Sequence, residues 1–526
     1  MKKLLLISAS LLVAVSVVVV RRPAAQNQYV PQAQLCADGS GKLCTKVPAY
    51  IGSDPELSSP GFGYEGLFGS LPTSTNNDVQ TPFDNMAWQM FVALNWPIEG
   101  LLLPPAQGLT KPGPRVFQSY TKVNTLFGES PNKAKCTPKP LQTVYYIGSD
   151  GKGKPALNNE EYFQASTNLP LVDINQNWTI FERRVNPVET LYLLQPDKLS
   201  QTLTTTQGQT NFIKNNPGGV QFTASDKTQT GSLGSIEIKT AWRIINKDAG
   251  DDPSRYFTQD VLIAVPGDLV NGGSDVCANV TVGLVGMHIV QRNPVDPNNA
   301  KLLPQWIWAT FEHVDNAPVA QSPCTVMTGC GTNQQTNWIN QPSCGQAAPS
   351  TSVRYSYYNQ NAGTQATNIR PKSTGSGPTT FPWNASQPYA KGNTTSTTGT
   401  PQATRCFSIY PTTAQLNTQW QAELAKVNTP LQNYMLIGTQ WGATVEPERG
   451  NPIPADAVPG MLSNITLETY IQNYTKATSD GGPGSCIGCH KIATLAVGNP
   501  APSADFSFLP GLAKPSTARS KIRTPR

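Results

Sequence analysis

Residues 486 to 490 read Cys-Ile-Gly-Cys-His. Two thiols three positions apart, with a histidine directly behind the second, is the pattern that fixes a c-type haem. The thiols form thioethers to its vinyl groups and the imidazole reaches the iron. No other feature constrains the fold as much, because the chain must then build a large, mostly apolar pocket around this one stretch. The motif begins at position 486 of 526, and no methionine follows it. Small cytochromes c place the motif early and a methionine ligand downstream, so that arrangement is excluded. The residues facing the second side of the iron must come from the preceding chain. A structural zinc site would need further Cys or His close by, and none follows. One motif implies one haem c, with Cys486 and Cys489 attaching it and His490 as proximal iron ligand.

The N-terminus supports this reading independently. Lys2 and Lys3 precede an apolar run from Leu4 to Val20, followed by Arg21 and Arg22. That is an export signal over residues 1–25, and a run of this length also leaves open an uncleaved inner-membrane anchor. In either case the body is expected outside the cytoplasm, in the periplasm of a bacterium. Four of the formal net +6 charges lie in this leader, so a processed chain is close to neutral. The basic stripe of a nucleic-acid binder is absent. Membrane contact is expected only through the leader. Eight further cysteines, at 36, 44, 136, 277, 324, 330, 344 and 406, read as disulfides in an oxidising compartment. They allow 105 connectivities, of which Cys36–Cys44 is the short-range expectation.

Hydropathy periodicity predicts a mainly β fold with a few short helices (α+β). The runs 143–148, 189–194, 235–245, 256–265, 279–292 and 305–314 are rich in Val, Ile, Tyr and Trp, and several alternate; they read as strands. A helix is expected from Asp84 or Asn85, as cap, to Pro97, and another over 412–428. Residues 434–442 read as a strand, and 463–475 as a short helix capped by Asn464 or Thr466. This gives a sandwich-like or barrel-like body over 26–330. A polar Gly/Pro/Ser/Thr-rich linker or long loop covers 331–405. A mostly helical or irregular haem-binding region with a basic tail covers 406–526. The Gly-rich stretch 148–154 lacks the Ser or Thr of a P-loop, since Pro155 stands there.

The sixth iron ligand decides the chemistry. Ligation on both faces makes an electron carrier, and an open face makes an enzyme or a small-ligand binder. The candidates are Met461, nearest upstream, Met435 in a strand, and His288 and His313, the only other histidines. Alternation places His288 on a face with Leu284, Gly286 and Val290. Their two strands are close enough in sequence to pair antiparallel and bring the histidines together. Each is a core histidine in the plainer reading. In the sharper one His288 is a distal ligand, or His288 or His313 an acid–base group, with Glu312 and Asp315 beside His313 to orient it.

The blocks Ala87–Pro97, Gly286–Pro294 with Pro304–Pro318, and Leu462–Gln472 followed by Ser485–His490 and Ala504–Gly511 resemble a group of large exported bacterial proteins of the cytochrome c family. The blocks span most of the chain, which implies one architecture rather than a fused module, along with haem binding and export. In layout alone the chain is also similar to cytochrome P460 and cytochrome c′, where the motif lies late and a haem face is available. The expected function is thus a monohaem redox protein with a periplasmic electron partner. The alternatives are a peroxidase- or oxidase-like haem enzyme acting on a small molecule, and a haem-based sensor.

Overall fold

The computed structural model describes residues 43–48, 80–128, 132–149, 162–164, 169–225, 232–293, 306–324, 353–362, 368–369, 382–392, 400–441, 461–472 and 486–515. The leader, Cys36 and the end of the basic tail lie outside these residues. Among the described residues no helix is long and apolar enough to cross a membrane.

The strands are β1 (Thr121–Lys122), β2 (Thr143–Tyr146), β3 (Ile180–Val185), β4 (Ile236–Ile244), β5 (Thr258–Val265), β6 (Val276–Arg292), β7 (Trp306–His313), β8 (Val319–Cys324), β9 (Arg405–Phe407) and β10 (Tyr434–Gln440). Eight of them form one sheet in the order β1-β3-β4-β6-β5-β2, with β7 also on β6 and β10 on β7. Only β2 and β5 run parallel in it; β8 and β9 make a separate small pair. The 17-residue β6 is the spine: β4 takes one edge, and β5 and β7 share the other. The fold is α+β with β dominant, as its alternating runs predict. Because β10 hydrogen-bonds to β7, residues on both sides of 331–405 contribute to one sheet. Tyr357 and Trp383 within that polar stretch are fully buried.

Two helices cover one face of the sheet, α1 (Gln80–Leu94) and α4 (Pro411–Lys426); α2 (Pro187–Leu194) and α3 (Thr206–Asn215) lie between them in the chain. Trp88 of α1 stacks on Trp420 of α4 at 5.6 Å, and Phe91 stacks on Phe311 of β7 at 4.2 Å. Each indole N–H finds a side-chain carbonyl on the other helix, Trp88 on Asn417 and Trp420 on Asn85. Helix α1 begins at Gln80, one turn before the expected cap. Asp84 and Asn85 lie inside it, where Asp84 accepts from Gln80 Nε2 and from the Thr413 hydroxyl instead of capping.

Three expectations fail for local reasons. Residues 189–194 are helical, within α2 (Pro187–Leu194). Asn186 Oδ1 accepts the Glu189 N–H and Pro187 occupies the first helical position; this cap and proline outweigh an apolar run that reads as strand. Residues 465–472 form turns and bends: Asn464 Oδ1 accepts the Thr466 N–H as a cap does, but the backbone bonds that follow, Glu468 N–H to the Asn464 carbonyl and Ile471 N–H to the Glu468 carbonyl, close separate turns. Finally, β6 carries a bulge: Gly286 pairs with Ala241 but Leu284 with Trp242. The extra residue, Val285, packs with Ala241 and Phe181. Leu284 therefore leaves the face of His288, since one inserted residue reverses side-chain parity.

Of the cysteines, Cys136 and Cys277 form a disulfide, and Cys44 and Cys406 each belong to a disulfide whose other half is not among the side chains described. Cys486 and Cys489 are not disulfide-bonded.

Candidate haem site

On the face away from α1 and α4, paired residues across β3, β4, β6 and β7 point into a cavity. Arg183 stands opposite Lys239, Lys239 opposite His288, and Val290 opposite Trp308. All of them line the cavity, together with Glu237, Glu468, Cys486, Cys489, His490 and Phe508. Its open space, counting the mouth and the solvent in it, is about 1040 Å³.

The motif forms the five-residue helix α5 (Cys486–His490). Its N-terminus is tied to the sheet by the Ile487 N–H, which donates to Gln440 Oε1 at the end of β10. His490 is set by a chain of contacts that starts in the sheet. Arg292 of β6 and Trp306 of β7 both donate to the carboxylate of Asp505. Asp505 and Phe506 then turn through positive φ, +50° and +68°. This aims the Phe506 carbonyl at His490 Nδ1, 2.7 Å away. Metal-bound histidines characteristically donate their second ring nitrogen to such a carbonyl, which fixes the tautomer and leaves Nε2 for a metal. Burial, against the weaker opposing effect of that bond, pushes His490 down to about 4, so its imidazole is neutral. Burial, with Glu468 and Cys489 adding, pushes the Cys486 thiol well up.

His288 is held on another wall. Its Nε2 lies 2.8 Å from Glu468 Oε1. Glu468 Oε2 accepts the Asn464 N–H, and Asn464 Nδ2 donates to Thr310 Oγ1 and the Phe311 carbonyl. The 464–468 turn can lie this close only because residue 286 is glycine: a Cβ there would sit 2.1 Å from Thr466 Oγ1. Burial alone would raise Glu468, but the charge and hydrogen bond of His288, with Lys239 and the Asn464 N–H, hold it below the usual carboxylate range.

The other candidates are placed elsewhere. Three residues beyond Thr310, the partner of His288, His313 points by alternation to the opposite face of the sheet. It is fully buried, stacked on Tyr256 at 4.0 Å. Its Nε2 is 3.0 Å from the Arg255 carbonyl, and its Nδ1 accepts the Asp315 N–H. It is a satisfied core histidine. Asp315 pairs with Arg255. Glu312 shares the face of His288 but is buried against Arg405 and accepts the Ile465 N–H; it anchors the 464–468 turn and does not line the cavity. Met461 is buried against Ala320, Cys406 and Phe407, turned from the cavity that its neighbour Leu462 lines. Met435 lies in β10 opposite Glu312 and is absent from the cavity wall. Sequence reasoning missed Glu468, which lies 180 residues from His288. It also missed the Asp505–Phe506 support, although the block 504–511 stood out.

The residues fit a covalent haem. Two thiols outside any disulfide stand three positions apart on one helix, and an imidazole has its Nδ1 already engaged. The cavity has apolar walls, and in its wall the buried Trp308 Nε1–H has no acceptor in the protein. Arg183 and Lys239 bring cations for the carboxylates of such a group. No cluster of three or more His, Cys, Asp or Glu suited to a bare metal ion occurs among the described residues; a porphyrin needs only one or two protein ligands. No protein family, curated protein or solved structure matches this chain.

Proposed function

We propose that the chain is an exported monohaem c-type protein that works in redox chemistry. Cys486 and Cys489 would carry the thioethers and His490 Nε2 would bind the iron. When bound there, the haem supplies a one-electron site. One observation carries this reading: the motif helix forms a wall of the cavity, with His490 already oriented by the Phe506 carbonyl. The partner is then a one-electron donor or acceptor outside the cytoplasm.

A second reading, an oxidoreductase with an exchangeable distal face, draws on the His288–Glu468 pair. A histidine that binds iron through Nε2 leaves that nitrogen free, yet His288 commits Nε2 to a carboxylate. A hydrogen-bonded His–Glu pair beside a cavity is arranged to hold and move a proton. Absorption and EPR spectra of the ferric and ferrous protein, with and without CO, separate the two. A low-spin haem inert to CO supports the electron carrier. A high-spin haem that binds CO supports the open face. Absence of covalent haem in protein made alongside a haem-attachment system overturns both.

A further inference from the structure

Behind the cavity wall two glutamates face each other. Glu189, in the first turn of α2, is completely buried. No donor reaches either of its carboxyl oxygens, nor Oε1 of Glu237 on β4. The two carboxyls lie within hydrogen-bonding reach of one another. Two carboxylates cannot hydrogen-bond without a proton, so one proton between them satisfies groups that otherwise have no partner. Glu237 also lines the cavity and lies within reach of the Ser507 hydroxyl, one residue past the Phe506 carbonyl that holds His490.

We propose that Glu189 and Glu237 are a proton-sharing pair coupled to the charge of the cavity, taking up a proton when the bound cofactor is reduced and releasing it on oxidation. The inference rests on the haem reading above. Its balance is simple: a one-electron donor supplies the electron, solvent supplies the proton through the open cavity, and one O–H bond forms on the pair. Four other charged groups act on or lie near the pair. Arg183, on β3, favours ionisation of Glu237. Asp505, in the C-terminal loop, opposes ionisation of both glutamates and is itself paired with Arg292 of β6. Lys239, two residues along β4, lines the same cavity. Burial pushes both glutamates above the usual range. An added electron raises their proton affinity further. Between the pH at which the oxidised protein loses the shared proton and the higher pH at which the reduced protein does, one proton accompanies each electron. Across that window the reduction equilibrium shifts up to tenfold per pH unit, about 59 mV for one electron.

The test uses the full-length protein with haem attached. Spectroelectrochemical titration against pH is paired with redox-difference infrared spectra in H2O and D2O. The expected result is a deuterium-sensitive carboxylic-acid carbonyl band that appears on reduction, lost or shifted in Glu189→Gln and Glu237→Gln. The pH slope of the potential flattens in the same variants. An unchanged visible spectrum shows that each variant is folded. Wild-type protein with attached haem but no carboxylic-acid band, or Glu189→Gln with the wild-type slope, overturns the pair's role and leaves the haem reading intact. Wild-type protein without covalent haem overturns both.

Discussion

The two faces of the central sheet are made by alternate residues of the same strands, and they are built on opposite terms. On one face Phe311 and Tyr434 meet Phe91 and Trp88 of α1, and His313 is enclosed with each ring nitrogen satisfied. On the other, Arg183, Glu237, Lys239 and His288 surround open space. The first face closes on itself, and the second borders an open cavity. The two histidines make the contrast sharp. They lie on paired strands, yet parity alone sends one into a finished core and the other to a cavity.

The largest effect that tests this contrast is all-or-none. Replacing Cys486 and Cys489 with Ser should abolish covalent haem, read by intact mass and by in-gel haem staining. The α1 face should still form, giving a cooperative urea transition by tryptophan fluorescence. Loss of all cooperative folding would show that the two faces are not independent.

Next in size is Trp88→Ala. It removes a fully buried indole that stacks on Trp420 and touches Phe91 and Phe311. About 3–5 kcal/mol should be lost in urea unfolding. The haem spectrum of the folded fraction should not move, because Trp88 is on the wrong face to touch the cavity.

Much of this division is visible in the chain. The period-two runs of β4 to β7 and β10 stand out because half-buried strands must alternate, and the motif marks one wall of the site. What escapes is of two kinds. Local competition hid α2, where the Asn186–Pro187 start overrides an apolar run, and hid the Val285 bulge that moves Leu284 to the far face. Long-range pairing hid the rest of the site. Nothing in the chain ties Glu468 to His288 or Asp505 to Arg292, and Met461, the nearest candidate ligand in sequence, is packed away because its neighbour Leu462 takes the cavity side. The Glu189–Glu237 pair needed both kinds, since Glu189 reads as a strand residue until its helix is known.

A third prediction, of roughly 3 kcal/mol, concerns acid. Burial, though opposed by Asp315, pushes His313 down to about 4 in the folded protein, whereas an unfolded histidine titrates near ~6.5. Below the unfolded value the unfolded state binds the extra proton. The contribution of His313 is thus fully present above about 6.5 and is lost as pH falls toward about 4. Urea stability measured across this window should fall with acid, and the slope should be smaller in His313→Gln. An unchanged slope would mean that His313 is not enclosed as a neutral ring.

The smallest predicted effect on stability carries the most information about function. His288→Ala removes one hydrogen bond between partly exposed groups, and Glu468 keeps the Asn464 N–H and the charge of Lys239. The expected cost is about 1 kcal/mol near neutral pH. Glu468 sits below its usual range when folded, so its contribution is present above the unfolded carboxylate value and lost as pH falls through the folded one. Without His288 that acid-side loss should shrink. If the pair only handles protons, the variant keeps its covalent haem and its spin state, while the pH profile of ligand or peroxide reaction changes. If His288 bound the iron, the variant would turn high-spin and begin to bind CO. That outcome would reverse the assignment drawn from its Nε2–Glu468 bond, and would make the cavity face as closed, once loaded, as the face that holds His313.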